Sequence, residues 1–247
     1  MLPALIASAA LLAFTPDVAA ARAYAAQRPG TVAFAVRTED HFWGVRADRA
    51  FASASVLKAM LLVAYARRAR HRPLHASERA LLAPMIRRSD NAAANVIFTR
   101  VGPAGLRRLA RRAGMTRFRP ASPIWGLSQI TARDQTRFFL HVDSLLPRRH
   151  RAYGLRLLRT IVPRQRWGIG RVELPGWRVY FKGGWGSGTG RVDHQVALLT
   201  RGDQRLSVAV LTADDGTHAA GKKTLAGVFE RLLAGLSTQS TGKKFVR

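Results

Sequence analysis

The order of hydrophobic periods along the chain constrains its fold more than any other feature. Two segments near the N-terminus, 31–38 and 41–47, have the alternation and the β-branched and aromatic content of strands. Strand character returns near the C-terminus at 177–182, 194–201 and 205–213. Between these groups the apolar residues recur at helical spacing. The first and last strands must therefore meet across a helical insertion.

Six helices are predicted in the insertion, and a seventh closes the chain. Their predicted ranges are 55–68, 77–87, 91–101, 103–113, a helix that begins after Thr131 and runs through Leu146, 150–161, and finally 219–236. Short links between strands favour antiparallel pairing. We predict an α+β fold, with an antiparallel five-stranded sheet flanked by N- and C-terminal helices. The predicted single domain, 22–247, has a sheet lobe (22–52 and 165–247) and an inserted all-helical lobe (53–164).

The N-terminus resembles an export signal. The apolar run 2–14 is too short to span a bilayer, and Ala19-Ala20-Ala21 after Pro16 fits a cleavage site. Residues 1–21 are therefore predicted to be a signal peptide of an exported protein, with no membrane span after its removal. Because the usual basic N-terminal region is missing, a buried first helix of the mature fold is the alternative.

The charge balance is strongly basic. Lysine and arginine number 41 against 14 acids, for a net charge of +27, and only six of the 41 are lysines. Either an anionic partner such as a cell-envelope polymer or a compositional bias explains the excess. Arg107, Arg108, Arg111 and Arg112 share one side of a predicted helix, which should face solvent while Leu106, Leu109, Ala110 and Ala113 turn inward.

Several kinds of site are disfavoured by composition. The chain has no cysteine, and its seven histidines show no convincing ligand spacing, so neither a metal nor another cofactor is predicted. No nucleic-acid recognition motif accompanies the positive charge, so no specific nucleic-acid partner is predicted.

Three short segments carry candidate chemistry. Ser55 and Lys58 lie three residues apart on one helix face, where a lysine of lowered pKa could take the serine proton. The pattern is common, since Ser240 and Lys243 in the polar tail also fit it. Ser55 is the better candidate nucleophile of the two, because it lies at the start of an apolar helix that directly follows a hairpin.

The other two segments each have an ordinary explanation. Ser89-Asp90-Asn91 is typical of a helix N-cap. Lys182-Gly183-Gly184 could be a flexible turn with an exposed lysine, or a strand edge where glycine admits a substrate and lysine supplies positive charge.

In this order the three segments resemble those of the penicillin-recognising active-site serine enzymes, most closely the class A β-lactamases, over residues 30–236. The resemblance implies that Ser55 is the acylated nucleophile, activated by Lys58, and that Ser89 relays a proton to the leaving nitrogen. It also implies that Asn91 holds the substrate amide and that Lys182 stabilises anionic charge. The N–H groups of Ser55 and of Trp185, which follows Gly184, would form the oxyanion hole.

The chain departs from the family pattern where the acyl-enzyme is hydrolysed. Class A enzymes use a loop glutamate, but residues 91–133 contain no Asp or Glu, Asp134 belongs to a predicted cap, and Glu173 is too near the Lys182 strand. Gly183 also lacks the hydroxyl usual at its position. We therefore expect a serine hydrolase that a β-lactam or a peptidoglycan peptide acylates and that deacylates poorly. The alternative is a non-catalytic relative that binds an anionic envelope polymer.

Overall fold

The computed structural model describes residues 14–186 and 191–237. The strands are β1 Thr31–Arg37, β2 Phe42–Val45, β3 Phe51–Ala52, β4 Gln129–Ile130, β5 Arg178–Gly186, β6 Val192–Arg201 and β7 Gln204–Ala213. Five of them form an antiparallel sheet in the order β2-β1-β7-β6-β5. β1 pairs with β7 from Thr31 opposite Ala213 to Arg37 opposite Ser207, which joins the two ends of the chain. The predicted five-stranded sheet is confirmed.

Eight helices accompany these strands in the described residues. They are α1 Val18–Ala26, α2 Leu57–Arg68, α3 Ala76–Arg87, α4 Asn91–Arg112, α5 Ala132–Leu140, α6 Val142–Leu145, α7 Arg148–Arg159 and α8 His218–Ser237. α4 joins two predicted helices across a kink at Gly102, whose φ of 65° only glycine adopts readily. The single helix predicted after Thr131 is wrong in extent, because the chain turns at His141 and α6 begins separately.

The central strands are covered on both faces. β6 is buried from Val192 to Leu199 and β7 from Leu206 to Thr212, so these strands lack the one-sided alternation of a sheet facing water. α8 and α5 both pack against these two strands, and α1 packs on α8. The expected flanking of the sheet by N- and C-terminal helices is confirmed.

The N-terminal segment is helical where a cleavage site is predicted. α1 begins after Asp17, whose carboxylate accepts the N–H of Ala20 at 2.8 Å, and Ala21 is buried. The Tyr24 hydroxyl donates to the carbonyl of Lys223 on α8 at 3.1 Å. From residue 18 onward the structure thus has the helix that the alternative interpretation expects. Residues 1–13 lie outside the described residues, and the signal peptide 1–21 stays a prediction.

Two further expectations concern surfaces. Arg107, Arg108, Arg111 and Arg112 are exposed on α4, and Leu106, Leu109, Ala110 and Ala113 are buried, as predicted. Among the described residues no helix is both long and apolar enough to cross a membrane.

Candidate active site

Ser55 lies in a tight 3₁₀ turn, Ala54–Val56, that leads directly into α2. Ala54 has a φ of 42°, a left-handed conformation that costs a non-glycine residue free energy and needs support from its surroundings. The N–H of Ser53 donates to the carbonyl of Ser128 at 2.7 Å, and its hydroxyl contacts the carbonyl of Gly126 at 3.3 Å. These bonds hold the turn in place from one side.

A two-stranded sheet just before the turn fixes it further. Phe51 on β3 pairs with Ile130 on β4, which ties the turn to the loop before α5. His194 on β6 contacts the carbonyl of Ala52 through Nε2 at 2.9 Å, and burial lowers the pKa of His194 to about 4, so its ring is neutral. Sequence analysis missed this sheet because strands of two residues show no periodicity.

Lys58 is fully buried one turn beyond Ser55. Its Nζ donates to the carbonyl of Ser89 at 2.5 Å, to Ser89 Oγ at 3.1 Å and to Asn91 Oδ1 at 2.7 Å. It also lies 5.1 Å from the centre of the Trp125 ring. Burial lowers the pKa of Lys58 to about 7, against an opposing effect of Asp90. A substantial fraction of this amine is therefore neutral near pH 7 and able to accept a proton.

The three N–H bonds of Lys58 all go to the Ser89-Asp90-Asn91 segment. In the described part of the chain, none is directed at the hydroxyl of Ser55. An ammonium group uses three donors, so these bonds describe the protonated amine. A neutral Lys58 has two donors and a lone pair, so at least one of these three bonds would be given up.

Lys182 is buried on β5 and approaches Ser89 from the opposite side. Its Nζ donates to Ser89 Oγ at 3.1 Å and to the carbonyl of Gly183 at 2.7 Å. Burial and the nearby charge of Lys58 hold the pKa of Lys182 well below its usual range. The exposed-lysine interpretation of this segment is therefore wrong.

Ser89 stands between the two lysines. Its backbone has a φ of 58°, an unusual conformation that directs the hydroxyl between the two Nζ atoms. Because Oγ accepts from both lysines, its own proton is left to donate elsewhere. Asp90 acts as the predicted cap, since its carboxylate accepts the N–H of Ala93 at 2.8 Å. The triplet thus combines a helix cap with two residues that contact the lysines.

Gly184 allows β5 to lie directly against the Ser55 turn. A Cβ atom at this position would come within 2.7 Å of the backbone nitrogens of both Ser55 and Val56. No side chain fits at that distance without backbone movement. Gly184 is followed directly by Trp185, so this close approach brings the segment that carries the Trp185 N–H beside the N–H of Ser55. These are the two N–H groups that are predicted to form the oxyanion hole.

Gly183 is explained by a neighbour that sequence analysis missed. A Cβ at this position would lie 3.0 Å from the ring of Trp167, which is buried beside β5. Trp167 therefore crowds a side chain at this position, and its ring would have to shift by a few tenths of an ångström to admit one.

Trp185 forms a wall of the cleft and is 38% exposed. Its ring stacks on His218 with centroids 5.1 Å apart and meets Trp167 edge-on at 6.0 Å. His218 in turn contacts Asp193, Nδ1 to Oδ1, at 2.5 Å. Burial raises the pKa of Asp193 to about 7 and lowers that of His218. Sequence analysis did not predict this cluster, because Trp167, Trp185 and His218 are far apart in the chain and meet only through the fold.

The cleft consists of two adjoining depressions. The larger, about 530 Å³, is lined by Ser55, Asn91, Trp125, Trp185 and neighbouring residues. The smaller, about 330 Å³, is lined by Arg88, Ser89, Arg164, Gln165, Trp167, Trp185 and His218. The residues that line these two depressions include no carboxylate, whereas a neighbouring depression that shares Trp185 and His218 with them is lined by Asp193 and Asp215. Asp134 is engaged elsewhere, because its carboxylate accepts the N–H groups of Thr116 and Arg117.

The structure brings all the predicted site residues to this cleft or its walls: Ser55, Lys58, Ser89, Asn91, Lys182, Gly184 and Trp185. No group of three potential ligands for a metal ion occurs among the described residues.

A mixed α/β fold with a serine turn, paired lysines and a strand packed against the turn defines a serine hydrolase of the β-lactamase type. Residues 74–233 match the family model described as the beta-lactamase enzyme family, and the chain belongs to that family. No curated protein shows significant sequence similarity to the chain.

Solved structures share the fold. The β-lactamase of Sphaerobacter thermophilus is 23% identical with a TM-score of 0.71, covering 90% of this chain and 97% of its own. The β-lactamase of Desulfarculus baarsii is 22% identical with a TM-score of 0.69, covering 85% and 96%. An ancestral class A β-lactamase is 20% identical with a TM-score of 0.71, covering 87% and 97%.

Proposed function

We propose that the protein is an exported serine hydrolase that an amide or ester acylates at Ser55. A β-lactam or a cell-wall peptide is the substrate class that fits the family. The observation that carries the proposal is the hydroxyl of Ser89, which accepts hydrogen bonds from two buried lysines beside the Ser55 turn. Such a cluster of cations with lowered pKa values is typical of activated nucleophiles.

The proposed acylation involves three proton transfers. Ser55 Oγ attacks the carbonyl carbon and its proton passes to the neutral amine of Lys58. The N–H groups of Ser55 and Trp185 stabilise the oxyanion. When the C–N bond of an amide breaks, Ser89 donates its proton to the leaving nitrogen and regains one from Lys58. Lys58 thereby returns to its neutral form, and Ser55 carries the acyl group as an ester.

Substrate binding falls to the groups around this path. The side chain of Asn91 reaches the cleft, where it can bind the substrate amide. Arg88 and Arg164 near Ser89 provide positive charge for an anionic substrate group, and Lys182 adds to it when its amine is protonated. These arginines offer an anion partner where Gly183 has no hydroxyl.

The ester should persist once it has formed. Hydrolysis needs a base to activate water, and no carboxylate lines the two depressions that contain Ser55 and Ser89. We therefore propose that deacylation is slow, and that the protein accumulates as the acyl-enzyme.

Intact-mass measurement after incubation with a β-lactam and with a fluorophosphonate tests the proposal. The expected result is one stable adduct on the wild type and on Ser77→Ala, an exposed serine control, but none on Ser55→Ala. Absence of any adduct, or an equal adduct on Ser55→Ala, would overturn acylation at Ser55. Rapid hydrolysis of nitrocefin that depends on Ser55 would instead overturn slow deacylation alone.

A further inference from the structure

A separate depression lies on the helical part of the molecule, away from the cleft. Its volume is about 820 Å³, and it is formed where the C-terminal ends of α2 and α4 lie side by side. Six arginines line it: Arg67, Arg68, Arg70, Arg108, Arg111 and Arg112. Arg67 is nine residues beyond Lys58, which places it about 14 Å farther along the axis of α2. We name these six residues the arginine basin.

The arginine basin is not neutralised by the protein. Its lining contains no Asp or Glu, and within the described residues none of its six members forms an ion pair. Arginines elsewhere do: Arg72 pairs with Glu78, and Arg133 pairs with Asp48. Arg67 donates to the carbonyl of Leu145 at 2.8 Å, and burial together with the charges of Arg112 and Arg70 lowers its pKa.

Helix capping accounts for only part of this charge. The C-terminus of a helix carries the equivalent of about half a negative charge. Two helix ends therefore offset about one of six positive charges. A compositional bias would scatter arginines and leave some paired with acids, as Arg72 and Arg133 are, but it does not explain six unpaired cations around one concavity.

The chemistry of the basin narrows its ligand. The planar guanidinium group matches the oxygens of phosphate, and several such groups around a concavity fit a chain that carries repeated phosphates. The large hydrophobic side chains exposed among the described residues are Val96, Ile124, Leu127 and Trp185, and none of them lines the basin. The basin thus lacks an aromatic platform for bases and an apolar anchor for lipid.

We propose that the arginine basin binds a linear polymer of phosphate groups that carries neither nucleobases nor acyl chains. A neighbouring depression of about 370 Å³ shares Arg68 and Arg70 with the basin and adds the cation Arg100, while its Arg72 is paired with Glu78 and its Tyr65 is buried. It extends the positive surface, so a chain longer than one phosphate can follow it. The polymer site is separate from the proposed catalytic cleft.

Fluorescence anisotropy with end-labelled, long-chain inorganic polyphosphate and the full-length protein tests this site. The basin variant combines Arg108→Gln, Arg111→Gln and Arg112→Gln, all exposed. The control variant combines Arg22→Gln, Arg159→Gln and Arg178→Gln, which are exposed on other elements and lower the net charge equally. Thermal melts of both variants verify that each is folded.

The basin variant should bind about tenfold more weakly than wild type, on the usual size of three exposed ion pairs. The slope of log affinity against log salt concentration should be shallower by about 2. Fewer phosphates are contacted by the variant, so fewer counterions are released on binding. The control should stay within about twofold of wild type. Acylation of Ser55 should be unchanged in both variants, so the polymer site is tested apart from the proposed function.

Three results would overturn the proposal. Equal losses in the two variants would mean that net charge alone drives binding. Salt-independent binding would exclude phosphate contacts. Tighter, basin-dependent binding of single-stranded DNA or of anionic vesicles than of polyphosphate would assign the basin to another class of ligand.

Discussion

Replacement of Gly184 by alanine tests the link between packing and acylation most directly. The new Cβ would lie 2.7 Å from the backbone nitrogens of Ser55 and Val56, about 0.7 Å closer than the 3.4 Å at which ordinary contact begins. Both atoms belong to the backbone of a short turn, so neither can rotate away. Either β5 or the Ser55 turn must move by several tenths of an ångström.

Such a displacement acts on the proposed oxyanion hole. The N–H groups of Ser55 and Trp185 belong to the two segments that are forced apart. Loss of one oxyanion donor costs about 100- to 1,000-fold in rate. We expect Gly184→Ala to slow acylation about 100-fold, and overpacking to lower the free energy of unfolding by about 1–3 kcal/mol.

The rate of fluorophosphonate adduct formation, followed by intact mass, measures the first effect, and urea unfolding measures the second. Gly235→Ala is the matched control, because its Cβ meets only Phe14 at 4.0 Å on the exposed side of α8. That variant should acylate like wild type. Acylation of Gly184→Ala within about threefold of wild type would refute the argument that this close approach sets the geometry.

Three further predictions concern charge and acid–base behaviour. Because neutral Lys58 accepts the Ser55 proton, the acylation rate should rise with increasing pH, with a midpoint near the Lys58 pKa of about 7. The variant Lys58→Met should lack this rise. A wild-type rate that does not depend on pH would argue against Lys58 as the base. The Glu78 carboxylate accepts hydrogen bonds from Arg72, Tyr65 and the N–H of His75, which hold its pKa well below the usual range. Glu78→Gln should therefore lower the free energy of unfolding in urea by about 2 kcal/mol. The control Glu230→Gln, at an exposed position, should change it hardly at all. The stability that Glu78 contributes is present above its unfolded pKa and should fall as the pH drops below it, so the wild type and Glu78→Gln should converge in acid.

The sheet and most helices could be predicted from the sequence because their signals are local. β1 alternates, α2 shows apolar residues at helical spacing, and Thr131 caps α5 by accepting the N–H of Asp134. The break at His141 could not be predicted, since no glycine or proline marks it. The pairing of Phe51 with Ile130 depends on residues far apart in sequence, and strands this short carry no period.

The site residues were predictable as motifs, but their partners were not. The order of Ser55, Ser89 and Lys182 in the chain pointed to one cleft. Nothing in the sequence indicated that both lysines would contact Ser89 Oγ, or that Lys58 would bind Asn91. The role of Trp167 was equally hidden, because a tryptophan in a loop gains meaning only from the strand against which it packs.

The packing of Trp167 against Gly183 also restricts the order in which this site could change during evolution. A Cβ at position 183 would lie 3.0 Å from the Trp167 ring, so serine or threonine at this position requires the ring to shift by a few tenths of an ångström. A lineage that gains a hydroxyl at 183 is therefore expected to repack the side chain at 167. Gly183 and Trp167 therefore form a coupled pair, and directed evolution that varies both positions together should recover more hydroxyl-bearing variants at 183 than variation of 183 alone.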